Sequence, residues 1–374
     1  MTPIVAESFV ESNFPTLKDM TYLNTASTGI APVSMREAVV EYLENSSKAI
    51  GSFQETLDLF KAVRSKLAKL LGGKTENYGL VTSTSDGLNA AAQGINYPKG
   101  SNIVICDLEF PSNYIPWQQA SRLYGAELRV VRSHDGAASV DDFVRMMDDN
   151  TAVVAVSHVQ FGSGYRMDLK RISEEVHKRG GLLVADVIQS AGWADYSLVD
   201  AGVDFAAAQA AKWMIGPIGA GFVYVSDRAM ERFTPRYLGW WGVEGVEDFT
   251  YKDKRPLGDA RKFQIGSPAM MAFVGIQPSL DVLLALPAKV RERAAMECAD
   301  HLRKRLRELR IPYYEFGEKN NSPIVSCKVE NADEVNKRLF NHRIHCSVRN
   351  GRLRVSPHFY NTVADIDRLV EQLR

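Results

Sequence analysis

Apolar runs of strand length alternate along this chain with segments whose apolar positions recur at helical spacing. That alternation is the pattern of a mostly parallel sheet covered by helices. Seven runs read as strands: YGLVTS (78–83), NIVICD (102–107), ELRVVR (127–132), AVVAVS (152–157), LLVAD (182–186), DFAAAQ (204–209) and GFVYVS (221–226). Between several of them lie helices such as DLKRISEEVHKRG (168–180), whose apolar residues share one face and which Gly180 brings to a stop. From about residue 280 the texture changes. A charged helix over 290–309 leads into SPIVSCKV, ADEVNKRLFNH, RLRVSPH and DIDRLVEQL, which predict a small α+β domain. The expected division is an N-terminal segment over 1–30, a large α/β domain over 31–279 and the small domain over 280–374.

A chain of 374 residues is long enough for a substantial core and two or three domains. Lys+Arg and Asp+Glu stand at 45 each, so no basic excess points to nucleic acid or an anionic membrane. No apolar run approaches the roughly 18 residues of a spanning helix, and MTPIVAESFVESNFPTL lacks a basic start followed by an apolar stretch. A cytoplasmic protein is expected. Cys106, Cys298, Cys327 and Cys346 are far apart and form no CxxC, which indicates neither a disulfide framework nor a zinc site.

In open α/β sheets ligands sit beyond the carboxyl ends of the strands. After YGLVTS come Thr84, Ser85 and Asp86 and the start of a helix; after NIVICD come Glu109 and Phe110; after AVVAVS come His158 and Gln160. LLVAD ends on Asp186 with Gln189 three residues on, and DFAAAQ runs into Lys212 within AQAAKWMIGPIGAG (208–221). A lysine among small residues before a glycine turn implies either a partner or a lowered pKa. Taken singly, each residue has a structural explanation: Asp186 as a turn residue, Phe110 as core, Ser85 and Asp86 as a helix N-cap, Lys212 as a snorkelling side chain. Together they match pyridoxal phosphate. That cofactor takes a lysine on its aldehyde carbon, a carboxylate that keeps its ring nitrogen protonated, a group stacked on the ring, and a helix N-terminus with hydroxyls for its phosphate. The roles fall to Lys212, Asp186, Phe110, and Ser85 with Thr84. GPIGAG follows the lysine and leads into a strand, so it reads as a turn that positions Lys212, not a phosphate loop.

ADVIQSAG, DFAAAQAAKW and GPIGAG, in that order, resemble the class V aminotransferase family of fold-type I pyridoxal-phosphate enzymes, which includes cysteine desulfurases, isopenicillin N epimerase and kynureninase. The likeness covers most of the chain, with YLNTASTGIAP (22–32) similar to the family's substrate loop and FQIGSP (263–268) to its subunit-crossing phosphate loop. The resemblance implies Gln189 on the ring hydroxyl oxygen, Asn24 and Arg354 on the substrate, and Ser267 on the phosphate of a neighbouring subunit in a homodimer. Gln209, expected among the cofactor-binding residues, and Ala211 depart from the Ser and His that many relatives carry before the lysine, so one phosphate ligand is changed or lost. His158 and Gln160 are left as alternatives for a cofactor contact.

The expected function is chemistry at Cα of an amino acid, by aminotransfer or epimerisation. The alternative is cysteine desulfurase or other C–S or β-lyase chemistry, and a non-catalytic binding protein of the same fold is the alternative of another class. A desulfurase needs a mobile cysteine near its substrate. RIHCSVRNGRLRVS instead predicts a hairpin turning at Asn350-Gly351, with Cys346 held in a strand.

Overall fold

The computed structural model describes residues 4–250 and 253–373; residues 1–3, where the expected N-terminal segment begins, 251 and 252, and 374, where the small domain ends, lie outside them. The strands are β1 (Thr21–Tyr22), β2 (Tyr78–Val81), β3 (Asn102–Cys106), β4 (Glu127–Val131), β5 (Thr151–Ser157), β6 (Leu182–Asp186), β7 (Phe205–Gln209), β8 (Gly221–Val225), β9 (Val325–Cys327), β10 (Ile344–His345), β11 (Ser347–Arg349) and β12 (Arg352–Val355). All the strands read from the large domain's sequence form one seven-stranded sheet, in the order β2-β8-β7-β6-β5-β3-β4. β8 alone runs against the others.

The sheet is buried on both faces, which is why its central strands read as unbroken apolar runs. Alternate residues of each strand feed two separate cores. Val104, Val154, Val156, Leu183 and Ala185 pack on one side, and Ile103, Ile105, Val153, Leu182 and Val184 on the other. The outer strand β4 is the least buried, and Arg129 there pairs with Glu127 and Asp148, a charged edge that resists further strand pairing.

Helix termini follow the punctuation of the sequence with one correction. Asp168 caps the helix Leu169–His177 by accepting from Arg171 N at 3.0 Å, and Gly180 takes the left-handed φ of +73°. The helix Thr84–Gly94 is capped by Ser83, not by Ser85 or Asp86: Ser83 has extended backbone angles and its Oγ accepts from Asp86 N at 3.0 Å. An N-cap must leave the strand still extended, and Ser83 is the residue that does.

β9, β12 and β11 make the small antiparallel sheet, covered by helices Ala288–Glu308, Ala332–Asn341 and Val363–Glu371. The predicted hairpin is present, with Asn350 and Gly351 at φ +51° and +69° joining β11 to β12. β1 pairs in parallel with β10, so the N-terminal segment is stitched to the small domain. The helix Met270–Leu284 runs across position 280 and packs on Val33–Ser47 and Phe53–Leu71. No single helix among the described residues is long and apolar enough to cross a membrane.

Candidate active site

Parallel strands β3, β5, β6 and β7 end side by side, and their exits deliver Phe110, Ser157, Asp186 and Gln209 to one cavity of about 190 Å³. Thr84, Ser85, Gln189 and Lys212 line it as well. Of the cofactor residues read from the sequence, Ser267 and the two alternatives His158 and Gln160 stay outside this cavity, and the others converge there.

Lys212 is held by its backbone. Ala210 N donates to Ala220 O at 2.8 Å and Gly216 N to Ala210 O at 2.9 Å, closing the turn between β7 and β8, and Ile215 sits at φ +49°, a conformation a β-branched residue adopts only when its surroundings impose it. A Cβ on Gly29 would lie 2.1 Å from Lys212 O, so only glycine allows the N-terminal loop to lie against the lysine's peptide. Nζ lies 5.6 Å from the centroid of the Phe110 ring. Burial holds the ammonium below the usual lysine range; Asp186 opposes that shift, and Arg354 and Arg349 add to it.

Asp186 is 3% exposed, and its carboxylate accepts one hydrogen bond among the described residues, from Ile188 N to Oδ1 at 2.9 Å. Burial pushes its carboxyl up, the Ile188 bond opposes this, Glu109 adds to it, and Lys212 pulls it back. Gln189 donates through Nε2 to Ala26 O at 3.0 Å and accepts from Trp213 Nε1 at 2.7 Å, tying the N-terminal loop to the lysine turn. Phe110 is 42% exposed and meets Phe161 edge-on at 5.1 Å, so the two rings make an aromatic wall. At the helix N-terminus Ser85 Oγ pairs with Ser112 Oγ at 2.7 Å, Thr84 Oγ1 accepts from Gln209 N at 2.9 Å, and Gln209 Nε2 donates to Thr82 O at 3.1 Å.

Neither His158 nor Gln160 lines the cavity. Gln160 donates to Glu109 at 2.8 Å, and the His158 ring packs on Tyr196 at 4.5 Å. Ser267 lies in a different cavity with Tyr237 and Ile265. Asn24 bridges to Ser356 and its buried Oδ1 has no protein partner.

Arg354 is 1% exposed. It donates from Nη1 to Phe161 O at 2.8 Å, from Nη2 to Ser27 Oγ at 2.6 Å, and from Nε to Ser347 Oγ at 3.2 Å. Arg349 Nη2 reaches the same Ser27 Oγ at 3.3 Å. A hydroxyl oxygen thus sits between two guanidinium groups, and burial with the nearby Arg349 lowers Arg354 to about 9. Sequence reasoning missed Arg349, Ser27 and Phe161, and placed Glu109 at a strand end without giving it a role. Phe161 follows a strand read correctly, so the strand-end rule that found Glu109 and Phe110 would have found it; Arg349 flanks the hairpin turn and becomes visible only once β11 and β12 are paired.

The family model for aminotransferase class-V matches residues 21–369. Among curated relatives, an uncharacterized aminotransferase, YcbU, of Bacillus subtilis is 27% identical over 362 residues, covering 96% of this chain and 95% of that protein. A probable cysteine desulfurase of Methanothermobacter thermautotrophicus is 27% identical over 393 residues, covering 97% and 96%. Among solved structures, the apo cysteine desulfurase of Thermococcus onnurineus NA1 superposes with a TM-score of 0.88 at 21% identity, over 99% of this chain and 98% of that one. The cystine C-S lyase C-DES, in complex with its product cysteine persulfide, superposes with a TM-score of 0.87 at 21% identity, over 96% and 98%.

Proposed function

Because the chain belongs to the aminotransferase class-V family, we propose that it is a pyridoxal-phosphate enzyme that cleaves the Cβ–S bond of a sulfur-bearing amino acid. The observation that carries the cofactor reading is the convergence of Lys212, Asp186 and Phe110 on one cavity beside a helix N-terminus, with the Asp186 carboxylate accepting a single hydrogen bond among the described residues. These residues fit the cofactor. Asp186 would hold the ring nitrogen, Lys212 the aldehyde carbon, Phe110 the ring face, Gln189 the ring hydroxyl, and Thr84, Ser85 and the N–H groups of the helix N-terminus, with Gln209 at its edge, the phosphate. Bound there, pyridoxal phosphate supplies an electron sink for the pair released when a bond at the substrate's Cα breaks.

The chain's own groups do the rest. Lys212 Nζ would take the Cα proton, a task suited to an amine whose proton affinity burial has lowered. Arg354, with Arg349 and Ser27 beside it, holds the substrate carboxylate when Ser27 Oγ gives way to it. Phe110 and Phe161 keep water from the reacting face. With cysteine as substrate, cleavage and hydrolysis consume one water and yield sulfide, pyruvate and ammonia.

Aminotransfer or epimerisation was the leading expectation from the sequence, and C–S cleavage the alternative. Two considerations favour the alternative. Relatives carry the names cysteine desulfurase and cystine C-S lyase, and all four cysteines of this chain are buried and free, which disfavours a persulfide carried on the protein and favours direct release of sulfur. The second reading, aminotransfer, has the B. subtilis relative's name behind it. The test is to supply L-cysteine and L-cystine to purified protein and assay sulfide or persulfide together with pyruvate. Release in step with pyruvate, lost in Lys212→Ala, is the expected result; keto acid formed from other amino acids without sulfide would establish aminotransfer instead.

A further inference from the structure

Glu109 is a buried charged group at this end of the sheet that the proposed chemistry does not use. Its buried carboxylate accepts from Asn113 Nδ2 at 2.8 Å and Ser157 Oγ at 2.5 Å on Oε2, and from Ser157 N at 2.9 Å, Gln160 Nε2 at 2.8 Å and Cys106 Sγ at 3.4 Å on Oε1. None of these partners is cationic. Trp117 Nε1 donates to Asn113 Oδ1 at 2.9 Å, which turns the Asn113 amide N–H towards Glu109. A buried carboxylate surrounded only by neutral donors presents a negative field that the chain leaves uncompensated.

Its location gives that field a use. Phe110 is the next residue, Ser157 lines the cavity, and Ser157 pairs in register with Asp186 on the neighbouring strand. We propose that Glu109 is a positioning residue for the cofactor ring, fixing the Phe110 and Ser157 walls and setting a second negative charge beside Asp186 that helps it hold the proton on the ring nitrogen. This rests on the reading that Lys212 and Asp186 hold pyridoxal phosphate. After burial, the charge of Glu109 is the contribution that raises the Asp186 carboxyl. The other groups facing the pair are Lys212 across the cavity with Arg354 and Arg349 beyond it, Cys106 from β3, and His158 beside Tyr196. Burial pushes the Cys106 thiol up and the His158 imidazole down, so neither supplies a compensating charge.

The test uses holoenzyme loaded with cofactor labelled with ¹⁵N in its ring, reading the nitrogen's chemical shift against pH. E109Q is expected to lower the proton affinity of the ring nitrogen on the order of tenfold. E109Q/N113D exchanges carboxylate and amide within one hydrogen-bonded pair and is expected to restore it to within about threefold, as is Glu109→Asp. A structural role alone would leave the shift profile of E109Q like that of the parent, and that result overturns the proposal. Should E109Q fail to fold, the two variants that keep a carboxylate carry the test, and loss of proton affinity in both overturns it. A parent protein that shows no bound ring-nitrogen signal overturns the cofactor reading itself, a different failure.

Discussion

His358 shows how a single buried residue connects the domains. Its ring is fully buried, its Nε2 lies 3.0 Å from Trp213 O, the peptide next to Lys212, and it stands four residues after Arg354 on the small domain. With a carbonyl at Nε2, the neutral ring carries its hydrogen there and donates it. Burial lowers its pKa to about 3; the Trp213 bond opposes this and Arg291 adds to it. A histidine whose folded pKa lies below its unfolded value near 6.5 takes up protons preferentially in the unfolded state. Stability is therefore complete above about pH 6.5 and declines as pH falls from there towards 3, by up to about 1.4 kcal/mol per pH unit. Urea midpoints measured between pH 7 and 4.5 are expected to fall less steeply in His358→Gln than in the parent. Equal slopes would show that this imidazole is not the group taking up the proton.

At the scale of elements, the β11–β12 hairpin bears directly on the chemistry. Cys346 is not held in a strand as the sequence predicts but lies in the one-residue break between β10 and β11, where the chain passes from pairing with β1 to pairing with β12; it is 8% exposed, and burial pushes its thiol well above the range in which a thiolate forms. Cys346→Ala is accordingly expected to keep sulfide release within about twofold, while a reaction that passes sulfur through this thiol would lose it. The hairpin was readable from the sequence because Asn-Gly at its turn and alternating apolar residues on either side are local signals. The same holds for the strands: a run such as LLVAD is buried on both faces and carries its own evidence. Lys212 and Asp186 were readable because strand ends face one way in a parallel sheet. What was not readable depended on distant partners. Ser27 between Arg349 and Arg354 brings together residues more than 300 positions apart, and nothing near Ser27 in the chain announces the two guanidinium groups. Gln160 and His158 looked like cofactor contacts because they follow β5, yet one turns to Glu109 and the other to Tyr196.

For the whole molecule, the apolar surface around residues 237–265 leads to the question of assembly. Phe249 is 76% exposed, Tyr237 63% and Ile265 52%, and Trp240 joins Phe53 and Phe249 in a ring cluster with centroids about 6 Å apart. Contiguous exposed rings of this kind mark an interface rather than a solvated face. The surface is firmly shaped, because a Cβ at Gly239 would lie 1.7 Å from Ile265 O, so only glycine lets these two segments meet. Ser267 is two residues past Ile265, outside the Lys212 cavity of its own chain, and lines the cavity shared with Tyr237. The homodimer that the family resemblance implies, if formed through this face, would bring Ser267 towards its partner and would give a role to a hydroxyl that lies outside the Lys212 cavity of its own chain. Sedimentation is expected to give a dimer. Trp240→Glu combined with Phe249→Glu places charge in the interface and is expected to yield monomers whose cofactor affinity falls at least roughly tenfold, because binding to an incomplete site forfeits the partner's contacts. Monomers that hold the cofactor as tightly as the parent would mean that each chain completes its own phosphate site and that Ser267 has no part in it.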